Sequence, residues 1–303
     1  MTATILERLT QLAPLVPLHQ PANLEMVALA RHHLPSALQV GAFDTAFHAD
    51  RSNLDRLYAL PRSLSDEGIV AYGFHGLSYD HIAAVLRARE GPRAGGREIV
   101  AHLGSGASMC MMNAGQSIAT TMGFSALDGL VMSTRCGVLD PGIILHLMQQ
   151  RQMTAEAVSD LLYHRSGLLG VSQISGDMAT LLLSADPRAA EAVALFVYRG
   201  GRAIGSLAAA LGGLDTLVFT AGIGENAPRI RALICQSAAW LGARLDTGLN
   251  TLGETVISDR GSGVEILVIP ADEERTVATG VLACMRQGPD MPPQVSQACG
   301  PST

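Results

Sequence analysis

The sequence predicts an α/β fold in which a mixed sheet is flanked by helices, and three stretches carry that prediction. Residues 97–124, REIVAHLGSGASMCMMNAGQSIATTMGF, alternate short β-prone runs with Gly-Ser-Gly and Asn-Ala-Gly turn signals, a β-meander and not a βαβ unit. Residues 187–211 keep apolar positions at helical spacing through a long alanine-rich run. Residues 216–245 and 264–287 each begin with an apolar strand and end in a helical pattern, joined by a glycine loop in the first and an acidic turn in the second.

Taken in chain order, residues 38–43 (LQVGAF) read as a short buried strand that delivers Asp44 at its end. GIVAYGFHG, 68–76, approaches a second turn, after which Ser78 is placed to cap a helix running to about Glu90. Glycine and proline make 91–96 a loop, and 154–164 has helical spacing. Gly212 and Gly213 terminate the 187–211 helix. Past the 220–226 glycine loop, Asn226 is a candidate cap and Pro228 sits in the first turn of the next helix. Residues 288–303 read as a mobile tail.

At 303 residues, 48% hydrophobic and 16% charged, the chain is long enough for one large domain or two smaller ones with a sizeable core. A net charge of -6 supplies no broad attraction to nucleic acid or anionic lipid, and no apolar run approaches the length of a bilayer span. MTATILERLTQL lacks the basic and apolar regions of a signal peptide. The five cysteines show neither pairing nor metal-ligand spacing, which fits reduced thiols in a cytoplasmic protein.

The chemistry concentrates in loops. GFSALDGLVMSTRCGVLDPG, 123–142, sets Arg135 among small residues between Asp128 and Asp140. A guanidinium fork grips carboxylates and phosphates; a surface arginine paired with one of those aspartates is the plainer alternative. HLGSGAS, 102–108, places Gly104 and Gly106 where backbone N–H groups can approach an anion, though an ordinary hairpin turn looks the same. TAGIGEN, 220–226, joins a buried strand to a helix start and matches neither the P-loop nor the dinucleotide fingerprint. His75, in GFHG, is either a structural histidine or a functional one. Asp44 and Glu273 stand at element ends, positions that suit plain caps and also ligand carboxylates. Two glycine loops, one arginine and two acids together suit a magnesium-phosphate ligand.

In order along the chain, LVPLHQPANL, FDTAFH, YGFHGLS, HLGSGAS, MGFSALDGLVMSTRCGVLDPG, SGLLGVS, FTAGIGEN and IPADEE resemble the motifs of the acetate kinase family, from about Leu12 to Ala283. The resemblance implies an actin-like (ribonuclease H-like) α/β ATPase fold of two domains with the active site in the cleft. It implies an ATP- and Mg²⁺-dependent enzyme (Mn²⁺ being the alternative metal) that forms an acyl phosphate from acetate or propionate, as a cytoplasmic homodimer. By position, Arg135 resembles the arginine that orients the carboxylate and steadies the transferring phosphoryl group. His75 resembles the histidine that hydrogen-bonds that group, and Asp44 the catalytic aspartate near substrate and metal. Glu273 resembles the glutamate that helps hold the metal. His102, Gly104, Ser105 and Gly106 resemble the second phosphate loop, and Gly222, Ile223, Gly224 and Asn226 the adenosine-side loop. Asp177 matches an acidic nucleotide-pocket position. His19 and Asn23 resemble cleft residues, with Leu18, Phe74 and Ala126 at the acyl pocket.

The departures from the family pattern set further expectations. The family opens with a strand bearing an Asn-Ala-Gly-Ser-Ser-Ser phosphate loop, and the chain begins downstream of it and of a second substrate-contacting arginine. Ser105 replaces an asparagine; Asp177, Met178 and Ala179 replace Asp-Phe-Arg; Ala126 replaces a proline; Val138 replaces an acidic residue. Residues 47–273 are expected to form a nearly complete second domain carrying the dimer surface, with 1–46 and 274–303 as remnants of a truncated first domain. An arginine acting on the transferring phosphoryl contributes about 10³–10⁵ in rate, so such losses predict severely impaired activity. The alternative expectation is a non-catalytic nucleotide-binding or dimerisation fragment.

Overall fold

The computed structural model describes residues 1–13, 20–89 and 95–287. The three meander runs become β1 (Arg97–Leu103), β2 (Ala107–Asn113) and β3 (Gln116–Thr120), with β2 antiparallel to both β1 and β3. The two later apolar runs become β4 (Thr216–Thr220) and β5 (Glu265–Val268), which add in parallel to give the order β3-β2-β1-β4-β5. Ala114 and Gly115 both take positive φ (50° and 72°), as the two-residue β2–β3 hairpin requires.

Helices cover both faces of the sheet, so β1, β2 and β4 are buried almost throughout, and their alternate residues enter separate cores. Ile99, Ala101, Met109, Met111, Leu217 and Phe219 pack with Phe196 and Ile204 of the Pro187–Leu211 helix and Ile230 and Ile234 of the Pro228–Ser237 helix. Val100, Cys110, Met112, Val218 and Leu267 face Tyr79, Ile82 and Leu86 of the Gly76–Ala88 helix. The long helix ends at Gly212 in the left-handed region, as predicted, and starts on an Asp186 cap. The 154–164 pattern forms Ala155–His164 with Thr154 as its cap.

Four local expectations need correction. Residues 38–43 form no strand: a strand needs a partner ladder, none of the described residues supplies one, and Leu38 and Phe43 stand 65% and 45% exposed. Ser78 is not a cap, because the helix begins two residues earlier behind a left-handed His75; Ser78 is buried in its first turn. AGIGEN is not an open loop but a short helix, Ala221–Asn226, entered through a left-handed Ala221 (φ 66°). Asn226 closes that helix, its amide donating to the Gly222 carbonyl at 3.0 Å, so it does not cap the next one.

Cys110, Cys136, Cys235 and Cys284 are free thiols, and no helix among the described residues is long and apolar enough to cross a membrane. Burial pushes the thiols of Cys110 and Cys235 up to about 12, which keeps them protonated. Helices Ala3–Gln11 and Gln20–His33 bury no residue fully.

Candidate active site

The site is assembled from backbone contacts that the sequence alone does not reveal. Buried Arg51 donates from Nη2 to the carbonyls of Ala71 (2.7 Å) and Tyr72 (2.9 Å) and from Nε to that of His48 (3.2 Å), and it pairs with Asp55. Buried His48 bridges the Ser117 hydroxyl at Nδ1 (2.8 Å) and the Phe74 carbonyl at Nε2 (3.0 Å). Desolvation drives its pKa down to about 4, so the ring is neutral. These contacts fix the turn that ends at His75, whose left-handed backbone (φ 59°, ψ 26°) is uncommon for a residue other than glycine. Asp44 secures that conformation. Its carboxylate accepts from His75 N (2.7 Å) and Leu77 N (3.3 Å), and its carbonyl accepts from Gly76 N (2.8 Å). Asp44 therefore does cap a helix, but one that lies far from it in sequence.

Three side chains then converge. His75 stacks on His102 with ring centroids 4.2 Å apart and planes 17° from parallel. His102 sits at the end of β1, held by a 2.9 Å bond between Nδ1 and the Ser78 hydroxyl. Desolvation, then the neighbouring His75 ring, pull its pKa down to about 3. Gly106 lies between the two predicted phosphoryl ligands: a methyl built on it falls 2.6 Å from Arg135 Nη2 and 3.0 Å from His75 Nε2.

Arg135 pairs with neither nearby aspartate. Asp128 accepts from Gly129 N, Asp140 caps the Pro141–Gln149 helix, and no described residue forms an ion pair with Arg135. Its Nη1 donates to the Ala126 carbonyl at 2.8 Å. Burial lowers its pKa from the ordinary arginine value, by desolvation, and the group stays a cation. Its loop is rigidly held: Met132 and Ser133 carbonyls accept from Leu168 and Leu169 at 2.8 and 3.0 Å, and the Thr134 hydroxyl donates to the Tyr163 carbonyl.

Two cavities flank this centre. One, of about 480 Å³, is lined by Gly104, Ser105, Ser133, Asp177, Met178, Ala179, Gly222, Ile223 and Asn226. It combines apolar side chains (Met178, Ile223) with carboxylate, amide and hydroxyl groups, a lining that fits a nucleoside. Asp177 also caps the Met178–Leu183 helix, and the Thr180 hydroxyl and N–H hold its carboxyl below the usual range. Gly224 is buried behind the loop, where the Arg231 guanidinium binds its carbonyl (2.9 Å) and that of Glu225 (2.7 Å).

The other cavity, about 450 Å³, is lined by Phe43, Asp44, Tyr72, Phe74, His75, Asn23, Phe124 and Glu273, among others. Glu273 begins the Glu273–Gln287 helix, and desolvation followed by the Asp44 charge raises its pKa. Two carboxylates on one aromatic-walled cavity, with no cluster of three or more metal-ligating side chains among the described residues, suit a divalent cation held largely by phosphate oxygens. Ala126 lines neither cavity; it touches the site through the carbonyl that anchors Arg135. Leu18 and His19 lie outside the described residues.

His48, Arg51, Tyr79, Ser108 and Arg231 escaped the sequence reading. Only a positive charge or histidine inside an apolar pattern, as in RIRALIC, hints at a buried polar anchor.

Comparison with known proteins identifies the family. Residues 1–279 match the acetokinase family model. An acetate kinase from Rhodopseudomonas palustris (strain TIE-1) is 53% identical over 285 residues, covering 93% of the chain and 71% of that relative. The crystal structure of Porphyromonas gingivalis acetate kinase superposes with a TM-score of 0.85 at 34% identity, over 94% of this chain and 73% of that one. That of a propionate kinase from Francisella tularensis gives 0.86 at 35% identity, over 92% and 73%. The fold is thus the actin-like α/β fold expected, and the chain belongs to the acetokinase family.

Proposed function

We propose that the chain transfers the terminal phosphoryl group of ATP directly to acetate or propionate, giving ADP and an acyl phosphate. By family it is a phosphotransferase. The observation that carries the reading at residue level is the Arg135 guanidinium, which has no carboxylate partner among the described residues and shares the space beside Gly106 with His75 Nε2. A partly desolvated cation and a ring nitrogen converging on one point suit a group whose charge is spread over several oxygens in the transition state.

The nucleotide occupies the 480 Å³ cavity in this reading, its phosphates passing the Gly104–Gly106 turn toward His75. The carboxylic acid enters the 450 Å³ cavity, its short chain against Phe74, Tyr72 and Phe124. Asp44 and Glu273 would hold Mg²⁺ or Mn²⁺, which when bound offsets charge on the transferring phosphoryl. Asp44 spends one lone pair on His75 N and one on Leu77 N, leaving others for the cavity. Residues 47–273, which contain all five described strands, act as one domain and carry the homodimer surface; 1–46 and 274–303 belong to another. The setting is the cytoplasm.

The test is acyl phosphate trapping with hydroxylamine, using the purified chain, ATP and Mg²⁺ with acetate or propionate. Hydroxamate that requires both ATP and the acid supports the reading; none with either acid refutes it.

A further inference from the structure

We propose that Tyr79 and Ser108 are positioning residues that hold the His75 ring in its Nε2–H tautomer. The proposal deepens the reading above and rests on it for its catalytic meaning. Ser108 Oγ lies 2.8 Å from His75 Nδ1, and the Tyr79 hydroxyl bonds the same oxygen. Both residues are fully buried at 0% exposure, and neither hydroxyl has another partner among the described residues.

Counting protons fixes the direction of the chain. Tyr79 has one hydroxyl proton, and the acceptor it reaches is Ser108 Oγ. Ser108 has one proton of its own, which is then left for His75 Nδ1. Nδ1 must present its lone pair, so the ring proton resides on Nε2. The reverse order would strand the Tyr79 proton in the core without an acceptor, an arrangement folded proteins avoid.

The remaining contacts aim that proton. Stacking on His102 sets the ring plane, and the Asp44 bond to His75 N sets the backbone. Nε2 then faces the point beside Gly106 that Arg135 Nη2 also faces. There an N–H donates to a phosphoryl oxygen, whereas the other tautomer would oppose it with a lone pair. A histidine held in the wrong tautomer is costly in catalysis even when its position is intact.

The experiment is nitrogen-15 NMR of the histidine-labelled full chain, with His75 assigned from His75→Gln. The wild type is expected to show a protonated Nε2 and an unprotonated Nδ1. Tyr79→Phe, nearly isosteric, removes the proton donated to Ser108 Oγ, leaves that oxygen open to accept from an Nδ1–H, and is expected to mix the tautomers. It should lower kcat by about tenfold or more with KM changed less than about twofold. Ser108→Ala should do the same, the double variant no worse, and Ser108→Thr should restore both signals. A protonated Nδ1 in the wild type overturns the proposal, as does Tyr79→Phe with unchanged tautomer and kcat. If the spectra fit while His75→Gln keeps full kcat, the tautomer assignment stands and the phosphoryl-donor reading of His75 fails.

Discussion

Gly106→Ala separates the geometry of the site from the stability of the fold. Gly106 does not occupy the left-handed region, so alanine is compatible with its backbone, and such a replacement usually stabilises by about 0.4–1 kcal/mol. The added methyl meets only the far ends of two side chains, Arg135 Nη2 at 2.6 Å and His75 Nε2 at 3.0 Å. Returning to a 3.4 Å contact requires the guanidinium to retreat by about 0.8 Å and the imidazole by about 0.4 Å. Misplacement near 1 Å costs about 10²-fold in rate, or close to 3 kcal/mol of barrier. The expected result is a loss of roughly a hundredfold in kcat for hydroxamate formation, with the urea midpoint held or slightly raised. A variant that unfolds early, or one with native kcat, would refute the convergence of Arg135 and His75 on this glycine.

Two further outcomes follow from the buried groups around the His75 turn. His48 and His102 have folded pKa values lowered to about 4 and about 3, against 6.5 unfolded. The unfolded chain then binds more protons between those limits, so stability rises with pH there and is lost on acidification below 6.5. From pH 7 to 5 each site costs about 2 kcal/mol, on the order of 4 together. Urea titrations should show this fall, reduced by about half in His48→Gln; an equal fall in both proteins would discount His48. Arg51→Ala removes a buried guanidinium from three carbonyls and leaves Asp55 unpaired, a loss of about 3–5 kcal/mol. Equilibrium unfolding checks this, and a change below about 1 kcal/mol would show that the 71–75 segment does not depend on Arg51.

Local signals in the sequence located most regular elements. The meander is legible because each hairpin carries its own turn residues, and the 187–211 helix because its periodicity and closing Gly212 agree. Misreadings arose where tertiary contacts override local preference. Gly222 and Gly224 made 221–226 look like a loop, yet Arg231 binds the carbonyls of Gly224 and Glu225 and secures the helix end. LQVGAF looks like a strand, but strand formation depends on a partner that composition cannot supply. The family motifs drew attention to Asp44, His75, Arg135 and Glu273, whereas the residues that aim them span long separations. Ser108 is 33 residues from His75, and Ser117 is 69 from His48. No spacing rule connects such pairs.

If Arg135 acts on the transferring phosphoryl group and is not a structural cation, removing it must cost turnover and spare the fold. The most direct test compares hydroxamate formation by the native chain and Arg135→Ala under saturating ATP, Mg²⁺ and acetate. A fall in kcat of about 10³–10⁵ is expected with an unfolding midpoint close to native, since the Arg135 side chain gives up a single described hydrogen bond, to Ala126. Undiminished product in Arg135→Ala would contradict that role.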